Sequence, residues 1–535
     1  MFPAGERLVI HALDFGEAAT LVRDDMKIGV RSYELAQPLA PKATLALAFD
    51  LEIPTHGFTN SGATTDVVAN GSFVNGDAVL PYVGYQERGE LVDDNDRRKF
   101  GLAPKERMRK RDDPVGLAQN ALATDANFIA FDATIGTDAD QYAIAPGYLQ
   151  REWTEGGRRY FAYRMDAPIL DFFAVQSARY AVRRDRWHDV AIEVYYQPGH
   201  EFDLNRMIAA AKAGLDYFTS NFGPYQYRQF RIVEFPRYAT FAQSFPNTVP
   251  YSEGIGFIAR VRDGDPKDVD YPYYVTAHEL AHQWWGHQVP GANVRGNTML
   301  VETLAQYSAL MVMKRKYGAA KMERFLRYEL DRYLLGRGTE QKKELPLALV
   351  ENQDYIHYRK GSLVMYALAD AIGEDNVNRA LRAYRDRWAF RGPPYSTTKD
   401  LLAEIRKVTP ASLAFLVDDF FDTITFYDNR ALAATAKRLP DGRYEVTLEV
   451  SARKSRADDL GKETDVPPDE LVDIGVLDAN DEPLFLEKRR IFAPTTTLTI
   501  VVAKKPARAG IDPFNELIDR RPKDNTIAVT LGSAP

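Results

Sequence analysis

The chain has 535 residues, and its 75 acidic and 68 basic side chains give a formal net charge of −7. Hydrophobic residues make up 45% of the sequence and charged residues 27%, which is typical of a folded globular protein and excludes a disordered or fibrous one. The sequence contains no cysteine, so disulfides, thiolate metal sites and iron–sulfur clusters are excluded, and any metal must be bound by histidine and carboxylate.

No apolar run approaches the ~20 residues that span a bilayer. The first residues also lack the basic segment followed by an apolar segment that marks a signal peptide. We therefore expect a soluble chain that does not itself insert into a membrane. The mildly acidic balance gives no reason to expect a nucleic-acid partner.

Residues 1–199 are predicted to form an N-terminal β-rich domain. Short alternating segments such as Thr44–Ile53 and Tyr160–Met165 are separated by turn-forming clusters. Residues 429–535 return to this pattern after a helical block, with predicted strands at Tyr444–Ser451 and Thr496–Lys504. For this last block we expect a β-sandwich.

Residues 200–428 are predicted to be mainly helical. Asp203 is a candidate cap for a first helix that runs through Phe222 and ends at Gly223-Pro224. Further helices are predicted over five ranges: Tyr273–Gly286, Glu302–Tyr317, Met322–Leu335, Tyr358–Ile372 and Ser396–Val408. The whole chain is thus predicted to be a multidomain α+β protein with the order β, helical, β.

One short motif in the helical block indicates a metal site. His278 and His282 stand four residues apart in an H-E-x-x-H run, and on a helix they are separated by about 40° on one face. Two imidazoles can therefore reach the same ion. Glu279 points elsewhere and can take a proton from a water molecule on the metal.

Catalytic zinc usually keeps three protein ligands. Glu302 opens the next predicted helix at a distance that allows the chain to return past the first helix. The competing pattern, H-E-x-x-H-x-x-G-x-x-H, requires glycine and histidine where this chain has Trp285 and Gln288. His287 does not fit either, since on a continued helix it lies about 140° from His282. A zinc ion bound by His278, His282 and Glu302 is the prediction.

The segment HELAHQWWGH, followed by a carboxylate at the start of the next helix, resembles the aminopeptidase N family of zinc metallopeptidases, the gluzincins. Tyr358-Arg359-Lys360-Gly361 is similar to that family's Y-x-K-G motif. Glu253, in the segment PYSEG, matches the glutamate of the family's G-x-M-E-N motif. The order of the three blocks also matches the family's first three domains. The resemblance is closest to the peptidase portion that some bacteria fuse to an ABC-transporter permease.

Four departures from the family are visible. Nineteen residues separate His282 from Glu302, one more than usual, and the extra residue is placed in a turn at 290–293. His287 replaces an asparagine, and only the glutamate of G-x-M-E-N remains. The family's large helical C-terminal domain has no counterpart in the sequence.

The resemblance implies a thermolysin-like catalytic domain that binds one zinc ion and releases N-terminal residues from peptides. Glu279 is then the general base, and Tyr358 stabilises the oxyanion. Glu253 is expected to bind the substrate's free amino group, although it could also be a loop carboxylate paired with Arg260 or Arg262. Two other functions remain open: a zinc endopeptidase, and a peptide-binding regulatory domain of a membrane transporter. Membrane association is expected only if a permease is attached.

Several aromatic and histidine side chains are predicted to have no part in catalysis. Trp284 and Trp285 are expected to pack behind the zinc-binding helix. His287 could donate a hydrogen bond to a ligand carboxylate or simply be packed. No role is assigned to the four histidines that lie in or at the edge of the first block, namely His11, His56, His188 and His200.

Overall fold

A computed structural model describes residues 8–55, 66–265 and 268–532 of the chain. His56 lies outside these residues. Within them the protein is a multidomain α+β structure with an N-terminal β-rich region, a helical middle and a C-terminal β region, in the predicted order. In the part of the chain that is described, no helix has both the length and the apolar composition needed to cross a membrane.

The N-terminal region consists of short strands that pair mostly antiparallel, in small sheets of two or three strands such as β7-β10-β9 and β5-β12-β8. Three short helices lie between β5 and β6. The elements are β1 (Val9–Asp14), β2 (Ala19–Asp25), β3 (Val30–Leu35), β4 (Ala48–Glu52), β5 (Ser72–Asn75), α1 (Gly76–Val79), α2 (Asp94–Lys99), α3 (Pro114–Leu117), β6 (Phe128–Ile129), β7 (Asp132–Asp138), β8 (Tyr142–Ile144), β9 (Tyr148–Glu155), β10 (Arg158–Arg164), β11 (Ile169–Leu170), β12 (Ala174–Ala178), β13 (Ala181–Trp187) and β14 (Val190–Tyr196).

A four-stranded sheet crosses the predicted domain boundary at residues 199 and 200. Strands β15 (Gln229–Phe235) and β16 (Thr248–Ser252) extend β13 and β14 in the order β13-β14-β15-β16, and β14, β15 and β16 are parallel. The prediction named only helices between residues 200 and 428. β15 is buried on both faces, and it includes the charged Arg231 and Glu234, so its sequence lacks the alternation that identifies a half-buried strand.

The helical middle contains all six predicted helices and two that were not predicted, α9 and the short α11. The elements are α4 (Leu204–Phe222), α5 (Tyr271–Ala281), α6 (Leu304–Tyr317), α7 (Glu323–Gly338), α8 (Gly361–Ile372), α9 (Glu374–Trp388), α10 (Thr398–Val408) and α11 (Ala414–Val417), with π-helical turns at Met299–Thr303, Tyr355–Lys360 and Asp418–Asp422.

Two boundaries differ from the predictions in detail. Asp203 stands at the N-cap of α4, but its side chain makes no capping bond and lies 3.3 Å from the guanidinium of Arg206 instead. The helix predicted to run to Gly286 ends at Ala281. At the other end of α4, Gly223 adopts a φ of 120°, which only glycine tolerates readily and which stops the helix as predicted.

The C-terminal region has two sheets, β19-β18-β17-β25 with β22 also paired to β18, and β21-β20-β23-β24. The first strand, β17, starts before the predicted boundary at 428 and 429. The strands are β17 (Ile424–Arg438), β18 (Tyr444–Ala457), β19 (Glu463–Val466), β20 (Glu470–Leu477), β21 (Pro483–Ile491), β22 (Thr495–Val502), β23 (Arg508–Ile511), β24 (Thr526–Ala528) and β25 (Thr530–Leu531).

Buried contacts join the C-terminal sheets to the helices. One apolar cluster extends from Val194 of β14 through α5 and α6 to Ile474 of β20. The ammonium of Lys488 contacts Asp370 of α8 and lies 2.8 Å from Asp473. The helical middle is therefore held between two β regions and its core is continuous with theirs.

Candidate metal centre

Three side chains from two segments converge in the helical middle. The Nε2 atoms of His278 and His282, one turn apart on α5, are 3.0 Å from each other. Oε2 of Glu302 lies 3.4 Å from Nε2 of His278 and 3.3 Å from Nε2 of His282. The structure thus brings together the three residues that the sequence predicted as ligands, with their donor atoms around a common point.

Two polar atoms of the cluster have no hydrogen-bond partner among the described residues. Oε2 of Glu302 and Nδ1 of His278 are both buried, and neither makes a hydrogen bond to the described part of the protein. Buried polar atoms normally have partners, so such groups need an explanation. Two imidazoles and one carboxylate form a donor set that suits zinc, and a zinc ion would satisfy Oε2 of Glu302. The residues present therefore fit a zinc ion.

The electrostatics of the cluster favour a cation. Burial lowers the pKa of His278 to about 4, so its ring is neutral at pH 7 and can act as a ligand. Burial also acts to lower the pKa of His282, but the Glu302 carboxylate outweighs it and raises that pKa to about 9. Glu302 itself keeps a pKa well below its usual range despite burial, because both histidines face it. A metal cation would replace the proton that Glu302 draws to His282.

Glu279 lies beside the cluster and is held by its backbone. Its side chain is buried, and burial raises its pKa to about 7, which suits a group that exchanges protons near neutral pH. The hydroxyl of Ser244 donates to the carbonyl oxygen of Glu279 over 2.8 Å. Gln283 donates in turn to Ser244 and to the carbonyl of Phe245. The segment before β16 is thereby fixed against the C-terminal end of α5.

Glu302 and Tyr358 both lie in π-helical turns that precede a regular helix. These two turns are bonded to each other: the hydroxyl of Thr303 donates to the carbonyl oxygen of His357 over 2.5 Å. A Cβ on Gly361 would lie 2.2 Å from the Thr303 hydroxyl, so only glycine permits this approach. The close packing against Thr303 therefore explains why the Y-x-K-G sequence has a glycine at position 361. π-Helical turns are often found at functional sites.

Tyr358 is placed next to the three candidate ligands. Its ring centroid is 5.7 Å from that of His278. Burial raises the pKa of its hydroxyl well above the usual value, and the nearby Glu302 carboxylate adds to this effect. Tyr358 therefore remains protonated at neutral pH and can donate a hydrogen bond at the centre.

His287 is packed, and the reason given for excluding it as a ligand was wrong. The helical angle of about 140° does not apply, because α5 ends at Ala281 and the chain continues in turns. His287 is 3% exposed, and its Nε2 lies 3.0 Å from the carbonyl oxygen of Ser244. It thus contacts a backbone carbonyl, not a ligand carboxylate.

The burial of His287 predicts that the stability of the protein falls in acid. Burial lowers the pKa of His287 from 6.5 to about 4. Below pH 6.5 the unfolded chain binds a proton that the folded chain does not bind until about pH 4, so stability falls by about 3 kcal/mol across this window. In His287→Asn we expect this part of the loss to disappear. Urea unfolding followed by tryptophan fluorescence at pH 4 to 7 measures it, and His11→Asn, at an exposed histidine, is the control; equal acid slopes in wild type and His287→Asn would contradict it.

Glu253 lies in a different cluster. It follows β16, and it accepts a hydrogen bond from the backbone N–H of Arg237 over 3.1 Å. Nδ1 of His200 is 4.0 Å from Glu253 and 2.5 Å from the buried Glu234. The ligand atoms of these three side chains lie within 4.8 Å of one another, so they form a second group that could hold a cation. His200, to which the sequence assigned no role, belongs to this cluster.

The position of Glu253 along β16 separates it from the first cluster. The start of β16 lies at the bridge between Phe245 and Thr248, next to the Ser244 contact with Glu279. Glu253 follows the other end of this five-residue strand. At about 3.3 Å per residue the two ends are about 13 Å apart. In the described residues Glu253 forms no ion pair with Arg260 or Arg262.

Two further predictions concern residues around the centre. Trp284 and Trp285 are fully buried and pack behind α5, as predicted, with their indole N–H groups bonded to the carbonyl of Gly223 and the hydroxyl of Ser308.

The segment 290–293, predicted to be a turn that accepts an extra residue, is mostly buried. Its Gly291 bridges Ser396, and its Ala292 bridges Asn120. An insertion there is therefore not free of packing constraints.

Sequence reasoning missed several residues that support the centre. Thr303, Ser244 and Gln283 bond the segments that carry Glu279, Glu302 and Tyr358. Glu329 of α7 accepts hydrogen bonds from three of the surrounding elements. Gln283 lies within the segment HELAHQWWGH but had no role assigned, and the other three belong to no motif, so only the folded structure reveals their contacts.

Comparison with known proteins finds matches to the part of the chain that contains these residues. Residues 206–423 match the Peptidase family M1 domain, a range that includes all three candidate ligands. The chain is 22% identical to human endoplasmic reticulum aminopeptidase 2 over 209 residues, which is 38% of this chain and 22% of that protein. It is 25% identical over 191 residues to probable aminopeptidase 1 of Sulfurisphaera tokodaii, covering 34% of this chain and 24% of that protein.

A plant relative extends the match. Aminopeptidase M1 of Arabidopsis thaliana is 23% identical over 285 residues, or 51% of this chain and 32% of that protein. The matched part spans less than a third of each of these relatives. Residues 206–423 thus match the Peptidase family M1 domain, and the comparisons support a hydrolase of the metallopeptidase class that is related to aminopeptidases.

Proposed function

We propose that this protein is a zinc-dependent metallo-aminopeptidase that hydrolyses N-terminal peptide bonds. The observation that carries the proposal is the convergence of His278, His282 and Glu302, with donor atoms 3.0 to 3.4 Å apart, beside the buried Glu279. In this proposal the three side chains hold one zinc ion per chain. The helical middle is then a thermolysin-like catalytic domain, and the two C-terminal sheets form a β-sandwich.

Two residues of the chain have different roles in the proposed peptide hydrolysis. A bound zinc ion supplies Lewis-acid polarisation and lowers the pKa of water to about 7. The Glu279 carboxylate accepts a proton from the attacking water and returns it to the leaving amine, as a general base and then an acid. The Tyr358 hydroxyl donates a hydrogen bond to the oxygen on which negative charge develops. The raised pKa of Tyr358 keeps its hydroxyl protonated, and the pKa of Glu279, raised to about 7, suits a group that takes up and returns a proton near neutral pH.

Glu253 is proposed to bind the free amino group of the substrate by a charge-assisted hydrogen bond. The side chain is partly exposed and lies beside a second carboxylate, Glu234, which supports binding of an ammonium group. This interaction would restrict the enzyme to unblocked N-termini. The preference for peptides with a free N-terminus rests on this residue.

One observation favours a second candidate, a zinc endopeptidase. Glu253 directly follows one end of β16, and the other end, beside the Ser244 contact with Glu279, is about 13 Å away along the strand at about 3.3 Å per residue. A peptide whose amino group is bound there would reach the metal only several residues after its N-terminus. The bond at the metal would then be an internal one. A third candidate is a peptide-binding regulatory domain attached to a membrane permease, in which catalysis is secondary.

A paired peptide digest tests these candidates. The zinc-loaded protein is incubated with a peptide mixture in which each sequence is present in free and N-acetylated form, and the products are identified by mass spectrometry. Loss of single N-terminal residues from the free peptides alone supports the aminopeptidase, and Glu253→Gln should then lower kcat/KM for those peptides. Internal cleavage of both forms would support the endopeptidase. Retention of peptides without any cleavage would support the binding domain.

A further inference from the structure

The side chain of Glu329 joins the three elements that carry the metal centre. It projects from α7, is 0% exposed, and accepts hydrogen bonds at both carboxylate oxygens. Oε1 accepts from the hydroxyl of Tyr274 and from Nε2 of Gln306, each over 3.1 Å. Oε2 accepts from the guanidinium of Arg359 over 3.0 Å. These donors come from α5, α6 and the π-helical turn at Tyr355–Lys360.

Each donor stands next to a residue of the centre along the chain. Tyr274 precedes His278 by four residues, and Gln306 follows Glu302 by four residues. Because residues four apart on a helix share a face, these donors lie on the same side of their helices as the candidate ligands. Arg359 directly follows Tyr358. One carboxylate therefore contacts the neighbours of two ligands and of the oxyanion donor.

A buried carboxylate is a strong constraint on the groups that surround it. Leaving it without its partners is strongly unfavourable, since charge in a protein interior must be paired or hydrogen-bonded. The three elements must therefore keep the spacing at which all three bonds form together. Displacements of about 1 Å in such a site are enough to impair catalysis.

We propose that Glu329 is a positioning residue that keeps α5, α6 and the Tyr358 turn in register, so that the metal ligands and the oxyanion donor meet. This inference rests on the proposed zinc peptidase function and adds to it a residue outside every motif. Glu329 touches neither metal nor substrate. It acts through Tyr274, Gln306 and Arg359.

The test compares Glu329→Gln with a matched control, Glu344→Gln. Glu344 is also buried, at 4% exposed, and it too has three donors: the Tyr333 hydroxyl, the Lys360 ammonium and the Arg337 guanidinium. None of these donors belongs to α5 or α6; Lys360 lies in the π-helical turn at Tyr355–Lys360, so the two variants are compared on zinc affinity. Both variants lose a buried negative charge, but only Glu329→Gln loses the bonds to the ligand-bearing helices.

The zinc dissociation constant is measured by competition with a chromophoric chelator, alongside kcat and KM. For Glu329→Gln we expect about 10–100-fold weaker zinc binding, as for other residues that orient metal ligands, and a lower kcat with KM nearly unchanged. For Glu344→Gln we expect the zinc affinity of the wild type. Gln306→Leu removes one donor and leaves the Arg359 pair; it should weaken zinc binding in the same direction but less.

Four results decide the matter. Wild-type zinc affinity and kcat in folded Glu329→Gln would overturn the inference while leaving the proposed function intact. An equal loss of zinc affinity in Glu344→Gln would do the same. If Glu329→Gln does not fold, unchanged zinc binding in Gln306→Leu overturns it. A wild-type protein that binds no zinc would overturn the proposed function itself, and the positioning role with it.

Discussion

Glu279→Gln is expected to lower kcat about 10²–10⁴-fold, the usual contribution of a general base, with zinc content and KM little changed. Glutamine has the shape of glutamate but cannot accept the proton of the attacking water. The buried position and raised pKa of Glu279 place a carboxylate beside the ligands at a proton affinity suited to neutral pH. Single-turnover hydrolysis of a chromogenic aminoacyl substrate or a fluorogenic peptide measures the effect.

Asp354→Asn is the control for this variant, because Asp354 is an exposed carboxylate near Tyr358, with its side chain 87% exposed. It should leave kcat within about twofold of wild type, as most surface substitutions do. Near-wild-type turnover in zinc-loaded Glu279→Gln would remove Glu279 from the role of base. A loss of zinc in the variant would instead show that it holds the metal site together.

Tyr358→Phe is expected to lower kcat about 10²–10³-fold, as the loss of one oxyanion donor does in other hydrolases. Only the hydroxyl is removed, so the ring contact with His278 is retained. The matched control is Tyr355→Phe, since Tyr355 lies in the same π-helical turn but donates its hydroxyl to Glu340. Steady-state kinetics on both variants separate the two roles.

A proportional fall in kcat/KM with unchanged KM would place the Tyr358 hydroxyl in the transition state. A rise in KM alone would mean that Tyr358 only binds the substrate. If Tyr355→Phe lost as much activity as Tyr358→Phe, the effect would come from the shape of the turn.

The sequence predicted the order of the three blocks and the residues that meet at the centre. The i, i+4 spacing of His278 and His282 depends only on the geometry of one helix, so it can be read directly from the chain. Placing Glu302 beside them requires the chain to return past α5; it was predicted because zinc usually keeps three protein ligands and the alternative histidine pattern is absent, and the family resemblance then agreed. Helices with one apolar face were recognised for the same local reason.

Features that depend on tertiary packing could not be predicted. The π-helical turns that carry Glu302 and Tyr358 differ from α-helix by a local change in hydrogen bonding, which residue periodicity does not reveal. The early end of α5 at Ala281 invalidated the angle argument about His287. Strand β15 was missed because its burial on both faces removes the alternating pattern.

Long-range polar contacts were equally hidden. Glu253 was predicted from a motif position, but its contacts with His200 and with Arg237 depend on how β14, β15 and β16 end at the same edge of a parallel sheet. Glu329 has no motif and no distinctive neighbours in sequence. Its donors are 55, 23 and 30 residues away along the chain, so only the folded structure brings them together.

Zinc titration of the metal-free protein tests the central claim most directly. The protein is stripped with a chelator, zinc is added back in fractions of an equivalent, and both bound metal and peptide hydrolysis are measured. The account predicts that activity is lost on stripping and returns in proportion to bound zinc, reaching its limit at one equivalent. It also predicts that Glu302→Ala neither binds this zinc tightly nor recovers activity. Full hydrolysis by the stripped protein, or by Glu302→Ala, would contradict the proposed metal centre.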